Sequence, residues 1–94
     1  MTKAGKFVVV RTYSAGVHVG TLASRKGQEV VLKNARRIWS WRGANTLHEI
    51  ALRGVASGSK VSETVSEITL LQAIEIIPAS SEAKKNLLAA GWGS

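Results

Sequence analysis

The chain has 94 residues, with 13 Lys and Arg against 6 acids and a formal charge of +7. It has no cysteine, which excludes disulfides, iron–sulfur centres and thiol nucleophiles. No apolar run approaches the ~18 residues of a membrane span, and the segment Met1–Lys6 has no signal-peptide pattern, so a soluble protein of the bacterial cytoplasm is expected. A chain this short makes one domain, 1–94, that buries roughly 60–65% of its unfolded surface.

Lys6–Tyr13 is rich in β-branched and aromatic residues and predicts a strand. Ser14-Ala15-Gly16 predicts a turn, with Gly16 free to take positive φ. Val17–Ser24 is the return strand, Arg25-Lys26-Gly27 a second turn, and Glu29–Trp41 a long third strand. The three strands form an antiparallel meander.

Thr46-Leu-His-Glu49 has the form of a capping box, with Asn45 a competing cap. Leu47, Ile50 and Ala51 then share one face of a short helix that Gly54 stops. Val55–Ser66 is expected to be mainly loop. Glu67–Ile77 predicts one apolar strand ended by Pro78. Ser81-Glu82-Ala83 opens a second helix with Leu87 and Leu88 on its apolar side, closed by Gly91. The expected fold is α+β: a small twisted antiparallel sheet, a meander of three strands plus one or two later strands, with two short helices.

Charge is uneven. Residues 1–45 hold nine bases and one acid, while 46–94 hold four bases and five acids. Such an excess points to an anionic partner, although it also serves solubility. The third strand concentrates it. By strict alternation Lys33, Arg37, Trp39 and Trp41 project one way, and Arg36 the other with Val30, Leu32 and Ile38. Indole stacks on a base and guanidinium forks onto phosphate, so this face suits a nucleotide; it equally suits a core anchored by Trp. Arg36 is either edge-exposed or buried and paired, with Glu67 or Glu75 as candidate partners. Arg42 extends the cluster. The first turn adds Arg11, Tyr13 and accessible backbone, a setting for a phosphate or for a plain hairpin loop.

Enzyme signatures fail one by one. Gly54–Lys60 resembles a phosphate loop, but its glycines are four apart and Ser precedes Lys. His48-Glu49 lacks a second histidine at 52. His18 lies mid-strand with no orienting carboxylate nearby in sequence. Two histidines without cysteine or aspartate leave almost no metal set. No catalysis, cofactor or metal is expected.

Val10–Val17 with Gly20, Asn34–Ala44 leading to Leu47, and Ala73–Pro78 resemble a family of small phage and prophage proteins known only as a domain of unknown function. The resemblance spans residues 7–80 and implies no established activity. Size, charge and element order are more loosely similar to phage anti-defence sponges, small homo-oligomers that sequester cyclic nucleotide immune signals. Three functions are therefore expected to compete. The first is non-catalytic sequestration of a small anionic nucleotide by Arg11, Tyr13, Arg36, Arg37, Trp39, Trp41 and Arg42. The second is DNA or RNA binding through the same basic face, and the third is inhibition of a host protein through an acidic surface. A homo-oligomer is expected, with Leu71, Ile77, Leu87 or Leu88 in its interface and no membrane partner.

Overall fold

The computed structural model describes residues 5–14 and 16–91. β1 (Phe7–Thr12), β2 (Val17–Lys26) and β3 (Glu29–Ser40) form the expected antiparallel meander. At the first turn the Thr12 N–H and hydroxyl both donate to the Gly16 carbonyl, at 3.0 and 2.8 Å. Val8, Val9 and Val10 are wholly buried, so β1 is covered on both faces.

The β2–β3 hairpin bends twice. Gly20 faces both Asn34 and Ala35, and Asn34 takes the left-handed conformation at φ 51°. A Cβ on Gly20 would stand 3.1 Å from the Lys33 carbonyl oxygen, so a side chain there would press into its neighbour strand. A second irregularity leaves Ala23 without an opposite residue. Bulges of this kind raise local twist, and the distal half of the hairpin folds over the proximal half.

The expected strand Glu67–Ile77 is two strands, β5 (Val65–Leu70) and β6 (Ala73–Pro78), with Leu71 and Gln72 between them. β5 pairs with β3 and β6 with β1, on opposite sides of the meander. Two residues span only about 7 Å. The sheet must therefore curl until its ends approach, and Ala73 N–H donates to the Gln28 carbonyl while Tyr13 N–H donates to that of Gln72, both at 3.0 Å. Apolar alternation runs unbroken through this turn without Gly, Pro or Asn, so the sequence hides it. Lys60–Val61, expected as loop, is a short strand β4 on the C-terminal end of β3. The sheet order is β4-β3-β2-β1-β6, with β5 on β3 beside β4. The fold is α+β, an open twisted antiparallel sheet of six strands with two helices.

Two cores result. Inside the curl lie Val8, Val10, Leu22, Val30, Leu32 and Leu70. On the outer face Phe7, Val9, Val19 and Ile38 meet Ile50 of α1 (Leu47–Arg53) and Leu87 of α2 (Ser81–Ala89). Thr46 caps α1 by accepting from Glu49 N–H, and the Glu49 carboxylate reaches back to Asn45 N–H at 2.9 Å. That amide, with Arg53, holds the Glu49 carboxyl below its ordinary range. Ser80 caps α2 and donates its hydroxyl to Leu52 at the end of α1. Leu87 is fully buried and Ile77 packs on the outer core, so neither is a free interface residue; Leu71 and Leu88 are exposed. Among the described residues no helix is long and apolar enough to cross a membrane.

Gly54 ends α1 at φ 82° and ψ −152°, a region that only glycine adopts readily. The Asn86 side chain fills the space of its missing Cβ while bonding both Val55 N–H (2.7 Å) and the Val55 carbonyl (2.9 Å). Gly54→Ala is expected to cost about 1–3 kcal/mol in urea unfolding. A loss under about 0.5 kcal/mol, the level of ordinary surface changes, would contradict this.

Candidate functional site

The seven residues singled out from the sequence fall into separate places. Arg11, Tyr13 and Trp41 come together in a cleft of about 500 Å³ between the β1–β2 turn and the entry to α1. Thr12, Ser14, Thr46 and His48 also line it. Trp41 is half-buried and packs against the outer core. Tyr13 is 78% exposed. The Arg11 guanidinium lies 3.6 Å from the Glu75 carboxylate, and both side chains are largely open to solvent. An exposed pair of this length is worth at most about 1 kcal/mol, so an incoming anion displaces Glu75 cheaply.

Trp39 and Trp41 do not share a face, contrary to strict alternation. The pairing slips between Ile38 and Ser40, and Trp39 is the extra residue on β3. Trp41 consequently turns to the helix-side core. Trp39 is 63% exposed with the Lys60 ammonium 5.2 Å from its ring centroid. Arg42 belongs to neither place: its backbone N–H donates to Ser59 Oγ, and its carbonyl accepts from Ala56 N–H.

Arg36 is buried against the outer core and pairs with neither Glu67 nor Glu75. Its Nε donates to the Ser62 carbonyl at 2.8 Å, Nη1 to Leu87 (2.6 Å) and Leu88 (3.2 Å), and Nη2 to Ala90. Burial lowers its pKa from the ordinary value. α2 has no basic residue in its last turn, so Arg36 supplies the cation its C-terminal carbonyls favour. This role is structural, and it takes Arg36 away from any surface ligand.

Arg37 faces the opposite way, beside His18. His18 is 1% exposed, and its Nε2 accepts from Arg37 Nε at 3.2 Å. Burial, and then the charge of Arg37, push the imidazole down to about 4, so it is neutral at physiological pH. The sequence places His18 mid-strand without showing its partner; Arg37 stands opposite because the hairpin turns at Gly27-Gln28, between Lys26 and Glu29. Among the described residues no group of three His, Asp or Glu could hold a metal ion.

A model of a protein family described as a domain of unknown function, DUF6948, matches residues 5–87. No curated protein and no solved structure matches the chain. Because the family match takes in both cores, the cleft and most of α2, the chain belongs to the DUF6948 family.

Proposed function

We propose that this protein binds, without catalysis, a small phosphorylated nucleotide in the cleft between the β1–β2 turn and α1. The observation that carries this is the convergence of Arg11, Tyr13 and Trp41 on one cleft. Its volume of about 500 Å³ lies in the usual range for small-ligand sites. Trp41 is held by the core behind it and offers a rigid stacking surface. Arg11 supplies a fork for phosphate oxygens, and Ser14 and Thr46 supply hydroxyls. A cyclic nucleotide fits this chemistry well, being compact and anionic with flat bases. In that case the protein acts as a phage-type sponge that removes a host immune signal. The exposed Leu71 and Leu88 support assembly with a second copy, and sedimentation at micromolar concentration is expected to show more than the 10.0 kDa monomer.

A panel of cyclic mono- and dinucleotides, titrated by calorimetry and followed by Trp emission, tests the cleft. At least one is expected to bind, and Arg11→Ala to weaken it about 10- to 100-fold, the worth of one charge-assisted contact. Arg11 is exposed, so the variant stays folded. Absence of binding across the panel, or an unchanged Kd in Arg11→Ala, overturns the proposal.

Nucleic-acid binding is the second reading, favoured by exposed Trp39 with Lys60 over its ring. A strand neutralised at about five phosphates loses affinity with a log–log salt slope of roughly −3 to −4, whereas a nucleotide in the cleft shows a shallow slope. Sub-micromolar, salt-steep binding of a 20-mer oligonucleotide, with no response to the panel, would favour this second reading.

A further inference from the structure

On the inner face of the curled sheet, Val10, His18 and Arg37 lie in one row across β1, β2 and β3. Arg37 ends that row at the open mouth of the curl. There it borders a hollow of about 640 Å³ on the far side of the β1–β2 turn from the nucleotide cleft. Its apolar lining comes from Ile68, Leu70 and the exposed Leu71. Its rim is neutral and polar, from Thr12, Ser14, Gln28, Thr69 and Gln72. Among the described residues no carboxylate lines it. Glu63 stands on the other side of Arg37, in a smaller hollow of about 190 Å³, and forms no ion pair with it.

Arg37 directs only Nε to His18. Its two terminal amino groups have no hydrogen bond or ion pair among the described residues. His18 Nε2, as the acceptor, carries no proton, so the proton sits on Nδ1. That Nδ1 is buried and has no partner of its own. A buried polar group of this kind costs stability, and an imidazole serving only as filler would be better replaced by an apolar side chain. The arrangement does have one evident product. The Arg37 side chain is pinned through Nε, which fixes the plane of its guanidinium and leaves the terminal fork at the mouth.

We infer that the mouth of the curled sheet is a second anion site, in which neutral His18 positions Arg37 to take the paired oxygens of a carboxylate or phosphate on a small, partly apolar molecule. A fixed guanidinium matches two coplanar oxygens, which an ammonium cannot do. The apolar lining selects for a body beyond the bare ion. The hollow meets the nucleotide cleft at Thr12 and Ser14 but shares none of Arg11, Tyr13 or Trp41, so Arg11→Ala separates the two sites.

The test is an ¹H–¹⁵N NMR titration of the whole protein with phenyl phosphate, benzoate and inorganic phosphate. Saturable shifts are expected at Arg37 Nε–H and at the amides of Thr69, Leu71 and Gln72. Arg37→Ala should abolish them, and Arg37→Lys should weaken binding at least about tenfold. His18→Leu should weaken it about five- to tenfold. His18→Gln should restore most of the loss, because its amide oxygen can accept from Arg37 Nε. Imidazole ¹⁵N shifts should show the Nδ1–H tautomer at neutral pH. Tighter binding of phenyl phosphate than benzoate assigns a phosphate, and the reverse a carboxylate. Arg11→Ala should leave all three titrations unchanged. The site is refuted if none of the probes gives saturable shifts at these positions, or if Arg37→Ala binds as the wild type does. Equal affinity of His18→Leu and wild type refutes the positioning role. If His18→Leu does not fold, the tautomer and the His18→Gln affinity decide that role.

Discussion

Replacing Arg36 by methionine is expected to lower the unfolding free energy by about 3–5 kcal/mol, a large part of the stability of so small a domain. The four carbonyls that Arg36 serves are main-chain groups of Ser62, Leu87, Leu88 and Ala90, and no substitution removes them. Leu87 and Leu88 lie in the last turn of α2, where carbonyls have no partner within the helix. Methionine fills much of the volume but leaves these acceptors unsatisfied. The loss falls short of four separate bonds, because the desolvation of a buried guanidinium is relieved at the same time. Arg36→Lys should recover only part, since one ammonium cannot reach all four oxygens from the same stem. Urea unfolding of the two variants measures this. A loss below about 1 kcal/mol in Arg36→Met would show that water replaces the arginine at the helix end.

Stability is expected to fall by about 3 kcal/mol between pH 7 and pH 4 through His18 alone. Its folded value is about 4, below the ordinary 6.5. Between these values the unfolded chain binds a proton that the folded chain does not, and so stability rises with pH across that window. Each unit of separation is worth about 1.4 kcal/mol. The contribution is complete above pH 6.5 and is lost as pH falls towards 4. Glu49, also depressed, adds its loss only as its own carboxyl protonates, in the acid range below. Urea midpoints at pH 7, 5.5 and 4.5 should decline for the wild type and flatten in His18→Gln. A flat wild-type profile from pH 7 to 4.5 would mean that His18 accepts its proton in place.

Where local chemistry decides structure, the sequence is readable. The β-branched runs of β1 and β2, the Thr46–Glu49 capping box and the glycine at 54 predict elements that the fold contains. Where one unopposed residue decides, it is not. Strict alternation puts Arg37, Trp39 and Trp41 on one face, yet the slip at Trp39 parts the two indoles. Leu71-Gln72 turns the chain without a turn residue. Three of the four partners of Arg36 lie 51 to 54 residues away at a helix end, beyond any pattern that spacing can show. Of the candidate site, Arg11 and Tyr13 were visible as neighbours in one turn. Their meeting with Trp41 depends on how β3 enters α1.

The two bends of the long hairpin also cancel. Val17 faces Ile38 and Lys26 faces Glu29, so both ends of the hairpin keep one register. Only Thr21–Leu22 and Leu32–Lys33 run one step out of it. Asn34 is a surplus residue on one strand, and Ala23 is its counterpart on the other. Deleting either alone would shift one end of the hairpin against the other. Deleting both would leave the flanking pairs intact but remove the added bend that helps bring Gln28 back to Ala73. The curled interior of this protein thus hangs on two matched surplus residues, Asn34 and Ala23, and can be gained or lost in register only if both change together.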